Sequence, residues 1–293
     1  MTAIPRLNPY IALIIGVTAV STGAIFARLA DAPALVIAAY RVGLASLILL
    51  PIVWRKAKPE LMMLSGSDIK LALLSGFFLA LHFATWISSL DYTSIANSVV
   101  LAGTNPLWVG LLTPFIAKEG LKKGTIAGIL VSVAGGMIIA AGDFTTSSDA
   151  LFGDFLALTG GICAAIYLLL GRHLRSKLSL LAYIFLCYGS AAMILWGTVL
   201  YLGLPITGFD TRTITAFWAL AIVPQLIGHT SYNWSLKWFS AGLIAVSLLG
   251  EPVGATILGY IIFDEGLTAT KFIGGSLILS AICIAALSEK PSP

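Results

Sequence analysis

Ten long apolar runs, separated by short polar or turn-forming breaks, occupy this chain almost from end to end. They cover approximately residues 10–27, 35–54, 71–90, 93–116, 124–141, 151–170, 179–202, 213–236, 239–263 and 272–287. A helix needs about 20 apolar residues to cross a hydrocarbon core roughly 30 Å thick. Ten such spans take up about 200 of the 293 residues, which leaves loops and tails too short to form a separate soluble domain.

Composition excludes the other classes. The chain is 58% apolar and 10% charged, with a mean hydropathy of +0.98, where a soluble domain carries about 25% charged residues. It is too apolar for disorder and has neither the glycine period of collagen nor the cysteines of a disulfide scaffold. Cys163, Cys187 and Cys283 lie inside apolar runs without CxxC or zinc spacing and read as small core residues. The net charge of +4 is spread along the chain with no basic run beside stacking aromatics, so nucleic acid is not an expected partner. The first run lacks a small-x-small cleavage site and is expected to remain in the mature protein.

Lys and Arg set the orientation. With the N-terminus in the cytoplasm, the inner segments hold thirteen of the 17 basic residues, while Arg28, Arg212 and Lys271 fall outside and Arg41 lies within a span. The positive-inside rule therefore predicts that both termini are cytoplasmic. Of the 13 acids, eight fall on the outer side and four on the inner; the one left over, Glu251, lies deep in a span.

Sliding the chain against itself by 146 positions reveals a repeat. Ser94 meets Ser240, Asn105-Pro106 meets Glu251-Pro252, Glu119-Gly120-Leu121 meets Glu265-Gly266-Leu267, and Gly128 meets Gly274. Because each unit has five spans, an odd number, the second must lie upside down relative to the first. The loop with Lys118, Lys122 and Lys123 is then cytoplasmic, and its copy, with Asp264, Thr268 and Ala269 in their place, is outside. The expected fold is an all-α membrane protein of ten transmembrane helices, arranged as two inverted five-helix repeats around a central cavity. The repeats would span 1–141 and 151–293, joined by a linker at 142–150. Inverted repeats of this kind are a common plan of secondary transporters, with the substrate site near the midplane.

The segment from Ser94 to Leu107 and that from Leu249 to Tyr260, each running on to a Glu-Gly-Leu loop and a Gly-rich span, resemble the two EamA-type repeats of the drug/metabolite transporter superfamily. Ala39-Tyr40-Arg41 resembles the start of that family's second span, which often carries an arginine. The resemblance covers nearly the whole chain. It implies a 5+5 inverted arrangement and export of amino acids or related metabolites through the plasma membrane, and within the family it points to the amino-acid exporters of the YddG type. These motifs are family-wide and do not fix the substrate, and Asn-Pro in one repeat against Glu-Pro in the other prevents a role from being copied between them.

The candidate site residues each carry two readings. Glu251 lies roughly 18 Å into its span at 1.5 Å per residue. It either binds a substrate ammonium or exchanges a proton, or it is a neutral acid bonded to a neighbouring helix. Pro106 and Pro252 remove amide hydrogens at matching depth and break or kink their helices, and Asn105 could enter the same cavity. His82 and Trp86 share a face with Phe78 and Ser89, while Gln225, His229 and Tyr232 form a similar face in the other repeat. Together they read as opposite walls of one cavity, or as interhelical hydrogen bonds and interface anchors. Arg41, about 9 Å from the outer end of its span, is a candidate gate or carboxylate contact. It could equally snorkel, or pair with Asp31 or backbone carbonyls. Trp108, Asn97 and Tyr167 could extend the lining or simply pack; Thr18 and Thr22 are weaker candidates. His173 lies in a basic loop and reads as solvated.

No nucleotide-binding, zinc-hydrolase or nucleophile-elbow motif occurs, so neither ATP-driven transport by this chain alone nor covalent catalysis is expected. No cofactor or metal is expected. The expected partners are a small-molecule substrate and the lipid bilayer, with the chain acting as a monomer. The leading reading is a secondary transporter that exports amino acids, aromatic ones among them, or similar metabolites by alternating access. The rival is a membrane-embedded enzyme acting on a lipid-linked substrate, which would need clustered acids or histidines at one interface. A receptor or scaffold has no sizeable loop to offer a partner.

Overall fold

The computed structural model describes residues 8–116, 120–142, 147–264, 266 and 268–288, and among these no β-strand occurs. All ten apolar runs are helical. The first is split into α1 (Pro9–Val20) and α2 (Gly23–Leu29) by a turn at Ser21 and Thr22. The second is α3 (Ala34–Lys56), followed by a short α4 (Lys58–Met62), and the third is α5 (Gly66–Ser89). The fourth comprises α6 (Ile95–Ala102) and α7 (Asn105–Ile116), and the fifth is α8 (Lys123–Gly142). In the second repeat come α9 (Ser148–Arg175) and α10 (Leu180–Tyr201), then α11 (Thr211–Leu220), a π-helix (Ala221–His229) and α12 (Thr230–Ser235). The last two runs form α13 (Ala241–Leu248) with α14 (Gly250–Phe263), and α15 (Ala269–Ser288). Among the described residues, nine helical segments are long and apolar enough to cross a membrane, and α8, with its apolar stretch Lys123–Ile138, takes the place of the fifth run.

Local sequence explains where the helices begin. Serine N-caps recur: Ser65, Ser147 and Ser179 cap α5, α9 and α10 by accepting a backbone N–H of the first turn. Ser94 accepts from the Asn97 amide and Ser240 from the Leu243 amide, each at 3.1 Å, so the repeat-related pair caps α6 and α13 alike. The breaks after these caps also match, at Gly103–Thr104 in one repeat and Leu249 in the other. Pro106 and Pro252 fall in the first turns of α7 and α14, where an amide has no intrahelical acceptor to lose. They therefore open a new helix instead of kinking a continuous one.

Packing follows the repeat. The broadest contacts join α8 to α15, α5 to α9 and α3 to α10, and α1 lies against the π-helix and α12. With five spans per repeat, α8 with α15 and α3 with α10 are equivalent spans of the two repeats. Small residues set the closest approaches. A Cβ on Gly128 would lie 3.0 Å from the Ala281 carbonyl, and one on Gly135 would lie 2.7 Å from that of Gly274. Large apolar side chains such as Leu47, Leu111, Phe155 and Phe272 point outward and are exposed, whereas Arg41, Gln225 and Asn233 are at most 1% exposed. This apolar-out, polar-in arrangement suits a bundle whose solvent is lipid.

Lys118, Glu119, Glu265 and Leu267, which carry part of the loop comparison between repeats, lie outside the described residues, as do Arg6, Asp143, Glu289 and Lys290.

Candidate functional site

A central cavity of about 40 Å³ lies where the helix breaks converge. Arg41, His82, Trp86, Asn105, Tyr167, His229, Tyr232 and Glu251 all line it, contributed by α3, α5, α7, α9, the π-helix, α12 and α14. Trp108 does not reach it; its indole donates to Thr104 Oγ1 at 3.3 Å. Phe78, Ser89 and Asn97 are not on its wall either. Ser89 is buried and donates to the Trp86 carbonyl at 2.6 Å. Thr18 donates to its own helix at the Ile14 carbonyl, and Thr22, in the turn after α1, donates back to the Ala19 carbonyl.

Arg41 neither snorkels nor pairs with Asp31. It is 1% exposed, and its Nε donates to Gln225 Oε1 at 2.9 Å. The guanidinium carbon sits 4.0 Å from the Phe83 ring centroid and 5.9 Å from that of Trp86. The hydrogen bond and the two aromatic faces draw the side chain inward, away from the lipid interface. Among the described residues Arg41 has no ion pair, and its Nη1 is buried without a partner.

The π-helix explains how Gln225 and His229 arrive here. Pro224 lies inside it and cannot donate to the helical ladder, which favours a wider turn. His229 and the Tyr232 hydroxyl are hydrogen-bonded through Nδ1, and the His229 ring lies 5.2 Å from Phe83. From α5, His82 Nδ1 donates to the Gly160 carbonyl at 2.9 Å, which leaves Nε2 for other bonds. Its ring stacks on Trp86 at 5.8 Å with an interplanar angle of 2°.

A tyrosine cluster adjoins these, with the Tyr167 ring 6.1 Å from that of His229. Asn233 donates to the hydroxyls of Tyr167 and, at 3.3 Å, Tyr188. The Asn233 carbonyl accepts from Arg175 Nε at 3.1 Å, which ties the end of α9 to α12.

Glu251 is partly buried in the first turn of α14, at the positive end of that helix's dipole. It has no hydrogen-bond or ion-pair partner among the described residues. Asn105, its repeat-related counterpart, is 8% exposed, and its Oδ1 is likewise unpartnered. The wall thus offers unpartnered donors on Arg41 and Trp86 and unpartnered acceptors on Asn105 and Glu251. No group of three or more His, Cys, Asp or Glu residues converges on a metal position among the described residues.

The cavity has room for about one water, far below the roughly 300–1,000 Å³ of ligand pockets. Two larger grooves of about 570 and 590 Å³, one between α1, α14 and α15 and one between α3 and α10, open on the outer face and are lined almost wholly by apolar side chains. Neither offers a polar solute the groups the central cavity does.

Phe83, Gln225 as the holder of Arg41, and the cluster around Asn233 go beyond the residues the sequence ranked highest. Pro224, at the centre of its run, and the small trio Ser21-Thr22-Gly23 were the available signals.

A multi-pass helical bundle with buried charge and aromatic rings gathered at its broken helices is the build of a membrane transport protein. The chain belongs to the EamA-like transporter family, whose model matches it twice, over residues 7–141 and 151–287. It is 25% identical over 302 residues to an uncharacterized transporter, YetK, of Bacillus subtilis, which covers 97% of this chain and 88% of that protein. It is 23% identical over 243 residues to a probable amino-acid metabolite efflux pump of Escherichia coli, covering 78% and 81% of the two chains. A protein of known crystal structure shares the fold with a TM-score of 0.76 at 20% identity, over 94% of this chain and 98% of the other.

Proposed function

We propose that the protein is a secondary transporter that exports amino acids or similar small metabolites across the plasma membrane by alternating access. The observation that carries this reading is the meeting of Arg41 and Glu251, without an ion pair between them, on the wall of one central cavity. A buried cation and a carboxylate held apart suit a small solute bearing both charges, since each is costly in lipid unless it is paired or hydrated. Glu251 takes the ammonium or a proton. Arg41, His82 and His229 serve anionic groups, and Trp86, Tyr167 and Tyr232 receive the side chain, aromatic ones included.

The repeat supports an inverted arrangement, because five spans per unit reverse the direction of the second. Rocking of one half against the other would open the cavity to each side in turn. A cavity of about 40 Å³ fits an occluded stage of such a cycle, in which the helices must part to admit a substrate. The distribution of basic residues supports a cytoplasmic location for both termini. The name of the Escherichia coli relative agrees with amino-acid export.

Uphill export from proteoliposomes under an imposed pH gradient tests the role of Glu251. The wild type should respond to the gradient, whereas Glu251→Gln should exchange substrate with weaker affinity and without accumulating it. Uphill export by the variant at the wild-type rate would remove Glu251 from coupling.

A further inference from the structure

Resting on the transporter reading, we infer that Arg41 Nη1 and Trp86 Nε1 form a carboxylate seat, which restricts the substrates to solutes with a free carboxylate beside an ammonium, and that Gln225 is its positioning residue. Four observations converge on it. First, Arg41 and Trp86 are 1% and 3% exposed, both line the cavity, and both have a buried N–H without a partner. Buried donors are almost always satisfied, so two on one wall mark the place of an absent acceptor. Second, no carboxylate among the described residues lies within ion-pair distance of Arg41, although Glu251 lines the same cavity. Third, Gln225 fixes the guanidinium by accepting from Nε at 2.9 Å, and Phe83 backs its face at 4.0 Å. The remaining edge is left for a ligand.

Fourth, the chain keeps space beside Arg41 Nη1 and the ring edge of Trp86. A Cβ on Gly23, at the break between α1 and α2, would lie 3.3 Å from Trp86 Cη2 and 3.6 Å from Arg41 Nη1. A larger side chain there would lie against Arg41 Nη1 and press on the Trp86 ring that carries the second donor. The donor pole is thus assembled from the α1–α2 break, α3, α5 and the π-helix, and the acceptor pole from the two repeat-related helix starts. A zwitterion can bridge them; an amine leaves the donor pole empty, and an amide-capped amino acid offers it one uncharged oxygen in place of a carboxylate. A guanidinium with a second N–H donor beside it suits a planar two-oxygen anion better than a spherical one.

The test is counterflow in proteoliposomes containing the full chain, with labelled leucine, phenylalanine and threonine competed by each amino acid and by its carboxamide. For the wild type, the carboxamide should compete at least about tenfold more weakly than the acid, the scale of a lost charge-assisted hydrogen bond. In Gln225→Leu the half-saturating acid concentration should rise toward that of the carboxamide while carboxamide competition is unchanged, a pattern that general misfolding would not give. Gly23→Val should weaken acid binding in the same selective way. Equal competition by acid and carboxamide in the wild type, above all with flux that depends on chloride, would overturn the seat and make Arg41 an inorganic-anion site, while leaving the transporter reading intact. Flux of no panel member would instead overturn the transporter reading on which the seat rests.

Discussion

Gly161 on α9 gives the sharpest link between packing and the site. Its missing Cβ lets α9 lie against the broken fourth span: a Cβ built there would stand 2.7 Å from the carbonyl oxygen of Ala102 and 3.1 Å from that of Leu101. Both oxygens belong to backbone at the end of α6, so no rotamer change relieves the contact, and either α6 or α9 must move. Gly161→Ala gains about 1 kcal/mol of helix propensity. Against this, overpacking costs typically about 1–3 kcal/mol, and a contact with backbone belongs at the upper end. The net expectation is a destabilisation of about 1–2 kcal/mol, and because Ala102 lines the cavity, a loss of substrate affinity as well. The matched control is Gly189→Ala on α10, where a Cβ meets nothing within 4 Å and only the propensity gain applies. Thermal unfolding of the purified protein should place Gly161→Ala below the wild type, and Gly189→Ala at or above it. Equal or reversed shifts would refute the claim that backbone proximity at the α6–α7 break limits what α9 can carry.

Other variants test separate parts of the structure. Asn233→Ala removes the amide that donates to Tyr167 and Tyr188, and should cost about 1–3 kcal/mol in denaturant or thermal unfolding. Ser94→Ala and Ser240→Ala each remove an N-cap and should each cost about 1 kcal/mol. The double variant should show their sum within experimental error, because the two caps hold the amides of separate helices. Pro224→Ala removes the residue that interrupts the ladder of the π-helix; helix content by circular dichroism should be retained while substrate flux falls, since Gln225 and His229 depend on that wide turn.

Much of the bundle could be read from the chain because its strongest determinants are local. Apolar runs of membrane length became helices, and the 146-residue offset reappeared as paired caps at Ser94 and Ser240 and paired breaks before Pro106 and Pro252. The residues on the cavity wall were also legible, because charge and histidine are scarce in an apolar chain and Glu251, Arg41, His82 and His229 stand out. What was hidden depended on geometry between distant segments. The inward turn of Arg41 follows from Gln225, 184 residues away in sequence, and from the ring of Phe83. Trp108 carried the same aromatic signal as Trp86, but its place on α7 directs its indole to Thr104. The π-helix depends on how one proline is accommodated by its neighbours, and periodicity alone assigns such a run to an α-helix. The prolines of the two repeats illustrate the same limit: sequence marks a disturbance at Pro106 and Pro252, and only the backbone shows that each begins a helix.

The central claim is that a polar cavity between the repeats carries a small amino-acid-like solute across the membrane. Counterflow of labelled amino acids into proteoliposomes, measured side by side for the wild type, Arg41→Ala and Glu251→Gln, tests it most directly. The account predicts saturable exchange of at least one amino acid by the wild type, lost with Arg41→Ala and altered in its response to pH with Glu251→Gln. Absence of flux across a broad panel, or saturable flux indifferent to both substitutions, would contradict it.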